Sequence, residues 1–274
     1  MKNNLIILII FLLTSTQVFS NKRYENFINP ESVAIGPDGN IYVSEIGEFK
    51  KDEDGKISKI SNDGKITDIA IGLNDPKGII FYKNKLYVTD NNVIIEVNLD
   101  GSWKVFATTL AFSKAPIFLN DIDVNEDGIF YITDSGNLKS GGAIFMMDQK
   151  GKITTLFDDT NPLIKAPNGF LVLGKSKFLM VDFETGELFE GNAKTKKLKK
   201  ITQGFPGGDG IVKIKKTIYI SSWKEGKIYE YKNGKIKVIA DHFITPADIA
   251  LDKDGKNLIV PDMKAGTITL LPIK

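Results

Sequence analysis

The chain has 274 residues, with 36 Lys and Arg, 34 Asp and Glu, one His and no Cys, for a formal net charge of +2. So even a balance gives no electrostatic case for nucleic acid or an anionic membrane as partner. The lack of Cys excludes disulfides and thiolate metal ligands, and the length allows one large domain with a sizeable core.

Residues 1–20 read as a secretory signal peptide. Lys2 gives a positive start, Leu5 to Leu13 form an apolar run, and Val18-Phe19-Ser20 offers a small residue for cleavage. The run is far short of the roughly 18–20 apolar residues that span a bilayer; an uncleaved anchor is the alternative. The expectation is an exported, periplasmic or secreted protein whose mature part, residues 21–274, does not insert into the membrane. Losing Lys2 leaves that part with 35 basic and 34 acidic residues.

From Pro30 onward a short phrase recurs six times: PESVAI from Pro30, PKGIIF from Pro76, LNDIDV from Leu119, PNGFLV from Pro167, GDGIVK from Gly208 and PADIAL from Pro246. The starts are 46, 43, 48, 41 and 38 residues apart. A period near 40–45 containing several short strands is the signature of a β-propeller blade. The first repeat shows the pattern: ESVAI, the turn Gly36 to Gly39, NIYVSE, GKISKI, the turn Asn62-Asp63-Gly64, then KITDIAI. The second strands repeat too, as NIYVSE, KLYVTD, IFYITD, KFLMVD, TIYISS and NLIVPD. The Glu45, Asp90, Asp134, Asp182 and Asp262 that end five of them are expected to bond turn backbone.

The sixth repeat ends after three strands. Phe27-Ile28-Asn29-Pro30 leads into repeat 1 as Phe243-Ile244-Thr245-Pro246 leads into repeat 6, so Tyr24 to Ile28 is expected to supply the missing outer strand and close the ring. The fold expected is all-β: a single six-bladed propeller of four-stranded blades. Lys194 to Lys200 (KTKKLKK) falls on an edge strand, where alternating lysines deter pairing with another sheet.

The second residues of the six phrases are Glu31, Lys77, Asn120, Asn168, Asp209 and Ala247. Equivalent positions of a cyclic repeat gather around one axis, although simple alternation would put Glu31 on the side of Val33 and Ile35. Glu31, Asn120, Asn168 and Asp209 together offer two carboxylates and two amide oxygens, a set suited to a hard cation. Ca²⁺ takes 6–8 oxygens and tolerates irregular geometry; Mg²⁺ and Mn²⁺ are alternatives, with Mg²⁺ the stricter. Zn²⁺ is disfavoured, since the single His242 lies away from the set. Lys77 either contacts substrate or counters the carboxylates.

At these residues the chain resembles the senescence-marker-protein/gluconolactonase family of six-bladed propellers. The resemblance rests on Glu31 in PESVAI, Asn120-Asp121 in LNDIDVNEDGIFYITD, Asn168-Gly169 in PNGFLV and Asp209-Gly210 in GDGIVK. It implies one divalent cation, usually calcium, in the channel, and hydrolysis of lactones or related esters; the protein is expected to be a monomer. Asp209 would serve as base and ligand, Asn120 would coordinate or orient substrate, and Lys77, Phe118 and Asp121 would touch it. Phe118 stands where sugar-lactone enzymes often carry an Arg, which favours a more apolar lactone or ester. The paired histidines of paraoxonase-like relatives are missing. Two other readings remain open: a binding platform with a structural metal, and a strictosidine-synthase-like or lyase propeller.

Overall fold

A computed structural model describes residues 22–273; the signal-peptide reading of residues 1–20 lies outside them. The described residues form six four-stranded antiparallel sheets. Five sheets are continuous in sequence: residues 30–73, 76–107, 119–158, 167–203 and 208–240, blades 1 to 5. In blade 6 the strands Ala250–Leu251, Asn257–Asp262 and Thr267–Pro272 are joined by Lys22–Tyr24 as the outer strand, with Tyr24 opposite Ile268. The ring is thus closed from the N-terminal side, as the sequence suggests. The closing strand is earlier and shorter than the expected Tyr24 to Ile28: Asn26 and Asn29 adopt positive φ and turn the chain inward. Among the described residues the only helical element is a single 3₁₀ turn, Thr109–Ala111.

The apolar runs of the second strands are explained by where their two faces go. Tyr42 packs toward blade 2, with Ile57, Val88 and Ile95, while its neighbour Val43 packs toward blade 6, with Ile259 and Ile268. Tyr131 and Ile132 divide in the same way between blades 4 and 2. Each seam of the ring has its own apolar cluster. Period-2 alternation therefore buries both faces, and each filled side chain contributes about 1.5–3 kcal/mol.

The acids that end the second strands hold the loop entering the same blade. Glu45 accepts from Ile28 N at 2.7 Å, Asp90 from Asp75 N at 2.7 Å, and Asp134 from Ile117 and Phe118 N at 2.8 Å. Asp182 accepts from Ala166 N at 2.7 Å and Asp262 from Ile244 N at 2.8 Å. The turn-bonding role read from the sequence is the one observed. The KTKKLKK stretch lies on the turn and outer strand of blade 4, the strand being Lys197–Gln203.

Candidate functional site

The inner strand of every complete blade carries an irregularity at one place. Pro30 pairs with Glu45 and Val33 with Val43, so three steps on one strand match two on the other. The same slip follows Pro76, Leu119, Pro167 and Gly208. A bulge of one residue reverses the alternation of side chains. Glu31 therefore leaves the side of Val33 and points into the channel. This is the physical reason that simple alternation misplaces it.

Hydroxyls on the second strands fix the bulges. Ser44 Oγ accepts from Ser32 N at 2.9 Å, Thr133 Oγ1 from Asp121 N at 2.9 Å, and Ser221 Oγ from Gly210 N at 2.8 Å. Glycine occupies the third phrase position in three blades. A Cβ on Gly210 would lie 2.6 Å from Asp248 Oδ1 and even closer to the Ile249 backbone, and one on Gly169 would run into the Asp209 carbonyl. Neither residue has a positive φ. The Asn-Gly and Asp-Gly pairs at 168–169 and 209–210 are strand residues whose glycines let neighbouring inner strands touch.

At one mouth of the channel a cavity of about 210 Å³ is lined by Glu31, Lys77, Asn120, Asn168 and Asp209, with Phe118 among the walls. Ala247, the sixth equivalent, is fully buried against Ile46 and Met263. The four expected oxygen-bearing residues are all buried, at 4%, 5%, 2% and 4% exposure in chain order. Glu31 Oε2, Asn168 Oδ1 and Asp209 Oδ1 have no hydrogen-bond partner. A buried polar atom left unpaired costs about 1–3 kcal/mol, more when charged. Three orphan oxygens on residues that line one cavity are the polar complement of a cation. Asn120 donates through Nδ2 to Ser135 Oγ at 3.3 Å, which leaves its carbonyl oxygen for the cavity. Among the described residues no group of three or more His, Asp or Glu is placed to hold a metal. The candidate set is two carboxylates and two amides, a composition that suits Ca²⁺.

Charges here are poorly compensated. Burial first, then the Asp209 and Asp248 carboxylates, push Glu31 well above the usual carboxylate range, with Lys77 pulling it back. Asp209 is pushed up by burial and by Asp121, with the Asn168 side chain opposing. Burial draws Lys77 below the usual lysine value, while Asp75, Glu31 and Asp90 raise it. Its ammonium donates to Asp75 O at 3.0 Å and sits 4.5 Å from the Phe118 ring centroid.

Asp121 is placed elsewhere. Its carboxylate accepts from Ile122 N and Phe170 N, both at 2.6 Å, and it lines a second cavity of about 320 Å³ at the opposite end of the channel. Asp121, expected to touch substrate beside Asn120, does not line the Asn120 cavity: consecutive residues across the bulge face opposite ends of the axis. Asp123 and Asp248 line that second cavity with it. His242 stacks on Phe243, away from the channel.

Sequence reasoning missed the upper wall of the first cavity: Ile46, Phe49, Leu138, Phe183, Trp223, Lys224 and Met263. A signal for it exists. Ile46, Phe183, Trp223 and Met263 each directly follow a second strand, so they too share one repeat phase. Trp223 Nε1 lies 3.3 Å from Met263 Sδ, and Lys224 Nζ lies 4.6 Å from the Phe183 ring centroid.

No protein-family model matches the chain, and no curated protein does. Solved structures match by fold. Regucalcin, a calcium-binding protein from Agrobacterium tumefaciens, aligns with a TM-score of 0.68 at 19% identity over 90% of each chain. A streptogramin B lyase aligns at 0.64 and 16% identity, over 93% of this chain and 98% of that one. A chain of the nidogen/laminin complex aligns at 0.66 and 20% identity, over 79% and 81%. At such identities the likeness establishes architecture alone: the chain is a six-bladed β-propeller.

Proposed function

We propose that this propeller is an exported hydrolase of lactones or related esters, dependent on a divalent cation, with Ca²⁺ as the ion. It is a gluconolactonase-like member of the senescence-marker-protein/gluconolactonase group. The observation that supports this reading is that Glu31, Asn168 and Asp209, each with an unpartnered oxygen, line one cavity. One propeller of similar fold is described as calcium-binding; the ion is assigned here on the donor chemistry.

Glu31, Asn120, Asn168 and Asp209 would hold the cation, which when bound would stabilise negative charge on the substrate carbonyl oxygen. The residues perform the rest. Asp209, with two oxygens, can bind through one and take a proton through the other. As water adds to the carbonyl carbon its proton passes to Asp209. When the ester C–O bond breaks, the same proton goes to the leaving oxygen. Asn120, fixed by Ser135, orients the substrate. Lys77 places positive charge beside the reacting carbonyl, held there by Asp75 O and the Phe118 ring. Phe118, Phe183, Trp223, Ile46 and Met263 exclude water and favour an apolar lactone or ester over a polyhydroxylated sugar lactone.

The test is a calcium titration of wild type and Asn168→Ala, following thermal melting and the hydrolysis of a lactone and aryl-ester panel. Calcium is expected to raise the melting temperature and switch on hydrolysis, and the substitution to weaken both at least about tenfold. Melting that responds without any turnover would assign the ion a structural role in a binding platform. Condensation or elimination products would assign a lyase-type propeller. No response in either readout removes the site.

A further inference from the structure

The charge of the ring is segregated. Residues 22–190 hold 18 Lys and Arg against 26 Asp and Glu, whereas residues 191–273 hold 16 Lys against 8 acids. The near-neutral total, which spoke against an anionic surface as partner, conceals a basic sector. That sector runs from the outer strand of blade 4 through blades 5 and 6.

Within it the lysines gather on the face opposite the Glu31 mouth. The inner strand of blade 5 starts at that mouth with Asp209 and ends near Lys213, which lines the far cavity; the turn that follows is Lys215-Lys216. Lys232 pairs with Lys235 at the next turn on the same face. Lys194, Lys196 and Lys197 surround the matching turn of blade 4, where Lys197 pairs with Asn192. All eight are exposed. The ion pairs of this sector use other lysines, Lys200, Lys224 and Lys227. Of the nearby acids, Asp252 is engaged in its own turn, accepting from Lys256 N at 2.8 Å and Asn257 Nδ2 at 2.5 Å; Asp254 and Glu230 remain. A groove of about 520 Å³ beside the turns is lined by Lys215, Lys216 and Lys232 together with Ile214, Tyr219 and Ile273.

The chain enters the ring on this same face. Lys22 pairs with Leu270 near the end of the strand Thr267–Pro272, and Ile273 lines the lysine groove. The described chain thus begins beside the basic sector.

We propose that this face docks the protein on an anionic phospholipid surface, with the Glu31 mouth turned toward solution. The occupant follows from the chemistry of the patch. Residues 191–273 contain no Arg, and Arg23 on the closing strand of blade 6 is paired with Glu25, so the patch lacks a free bidentate fork of the kind that reads phosphodiester and base edges. Of its tyrosines, Tyr219 and Tyr229 are buried and Tyr24 and Tyr231 are half-buried against the seams, which leaves no fully exposed tyrosine ring as a stacking platform for unpaired bases. Compact, mobile ammonium charges with exposed Ile236 and Val238 between them match a fluid headgroup layer. The docking does not depend on the hydrolase reading.

The experiment uses the chain from Asn21 on, which contains every strand of the closed ring. It is sedimented with vesicles of phosphatidylglycerol and phosphatidylcholine, and with vesicles of phosphatidylcholine alone. Binding is expected only with the anionic vesicles, and is expected to fall at least about tenfold at high salt. Changing Lys213, Lys215, Lys216 and Lys235 together to Gln should cost about fivefold for each lysine that reaches the surface, with the melting temperature unchanged. The matching Gln variant of Lys50, Lys51 and Lys139, on the mouth side, should bind like wild type. Equal binding to neutral vesicles, binding untouched by the four substitutions, or tighter binding of a DNA oligonucleotide than of the anionic vesicles would each overturn the proposal.

Discussion

Ser32 and Asp248 are joined across the seam between the first and last blades, Ser32 Oγ donating to Asp248 Oδ2 at 2.5 Å. The Asp248 N–H in turn donates to the carbonyl oxygen of Glu31 at 2.9 Å. Residues 216 apart in the chain thus fix the backbone that aims the Glu31 carboxylate. Replacing Ser32 by Ala would leave a buried carboxylate short of one donor, at a cost of about 1–3 kcal/mol. The expected result is a melting temperature lower by several degrees and a weaker calcium response, because Glu31 is no longer pinned. Differential scanning calorimetry with and without calcium reads both; an unchanged melt would remove the seam's role.

The far cavity sets a dependence on pH. Burial pushes the Asp123 carboxyl up to about 6, against backbone hydrogen bonds from Val172 and Val124, and pushes Asp248 up to about 7. An unfolded Asp titrates near about 3.9. Between these values the folded chain binds more protons than the unfolded one, so the stability from these groups is full below about 4 and is lost as pH rises through 6 and 7. For Asp123 alone the swing is roughly 3 kcal/mol. The chelator-treated protein should therefore melt higher near pH 5 than near pH 8. Asp123→Asn should flatten the lower part of the profile. A melting temperature that climbs steadily across this range would contradict the assignment.

The repeat pattern exposed the ring, its closure and the four oxygen-bearing residues that line one cavity, because all are matters of phase along the chain. Glu31, Asn120, Asn168 and Asp209 recur at one position, and so does the bulge that turns them inward. What phase could not supply was the direction of the next residue. Asp121 follows Asn120 yet faces the opposite end of the channel, and only the slipped register shows it. The closing strand shifted for a similar reason: the positive φ of Asn26 and Asn29 is a local backbone choice that no periodicity records. The upper wall went unread because Ile46, Phe183, Trp223 and Met263 stand in loops, where apolar residues carry no strand pattern.

The glycines of the inner strands are tested by adding one methyl. At Gly210 a Cβ would meet the backbone of Ile249 and the carboxylate of Asp248, neither of which can swing away. Gly210→Ala should destabilise by about 1–3 kcal/mol or more through overpacking. It should also shift Asp209, its immediate neighbour, out of the donor set. Gly234→Ala, at an open turn with no atom within 4 Å of the added carbon, pays only for its φ of 76° and should leave calcium binding intact. Calcium affinity reduced equally by both substitutions would show that the effect is not local to the channel.

Substitutions at the donors should have opposite signs with and without the ion. In the metal-free chain Glu31 and Asp209 are buried carboxylates driven upward by desolvation and by other acids, and each has an orphan oxygen. Glu31→Gln or Asp209→Asn removes a charge that the cavity cannot solvate, so either variant should melt higher than wild type in chelator near pH 8, by a few degrees for about 1–2 kcal/mol. Added calcium should raise wild type above both variants, because mass action rewards only the chain that still binds. Asp209→Asn should abolish turnover as well, while Glu31→Gln should retain a remnant at high calcium. A variant less stable than wild type in chelator would mean that these carboxylates support the apo fold and do not burden it.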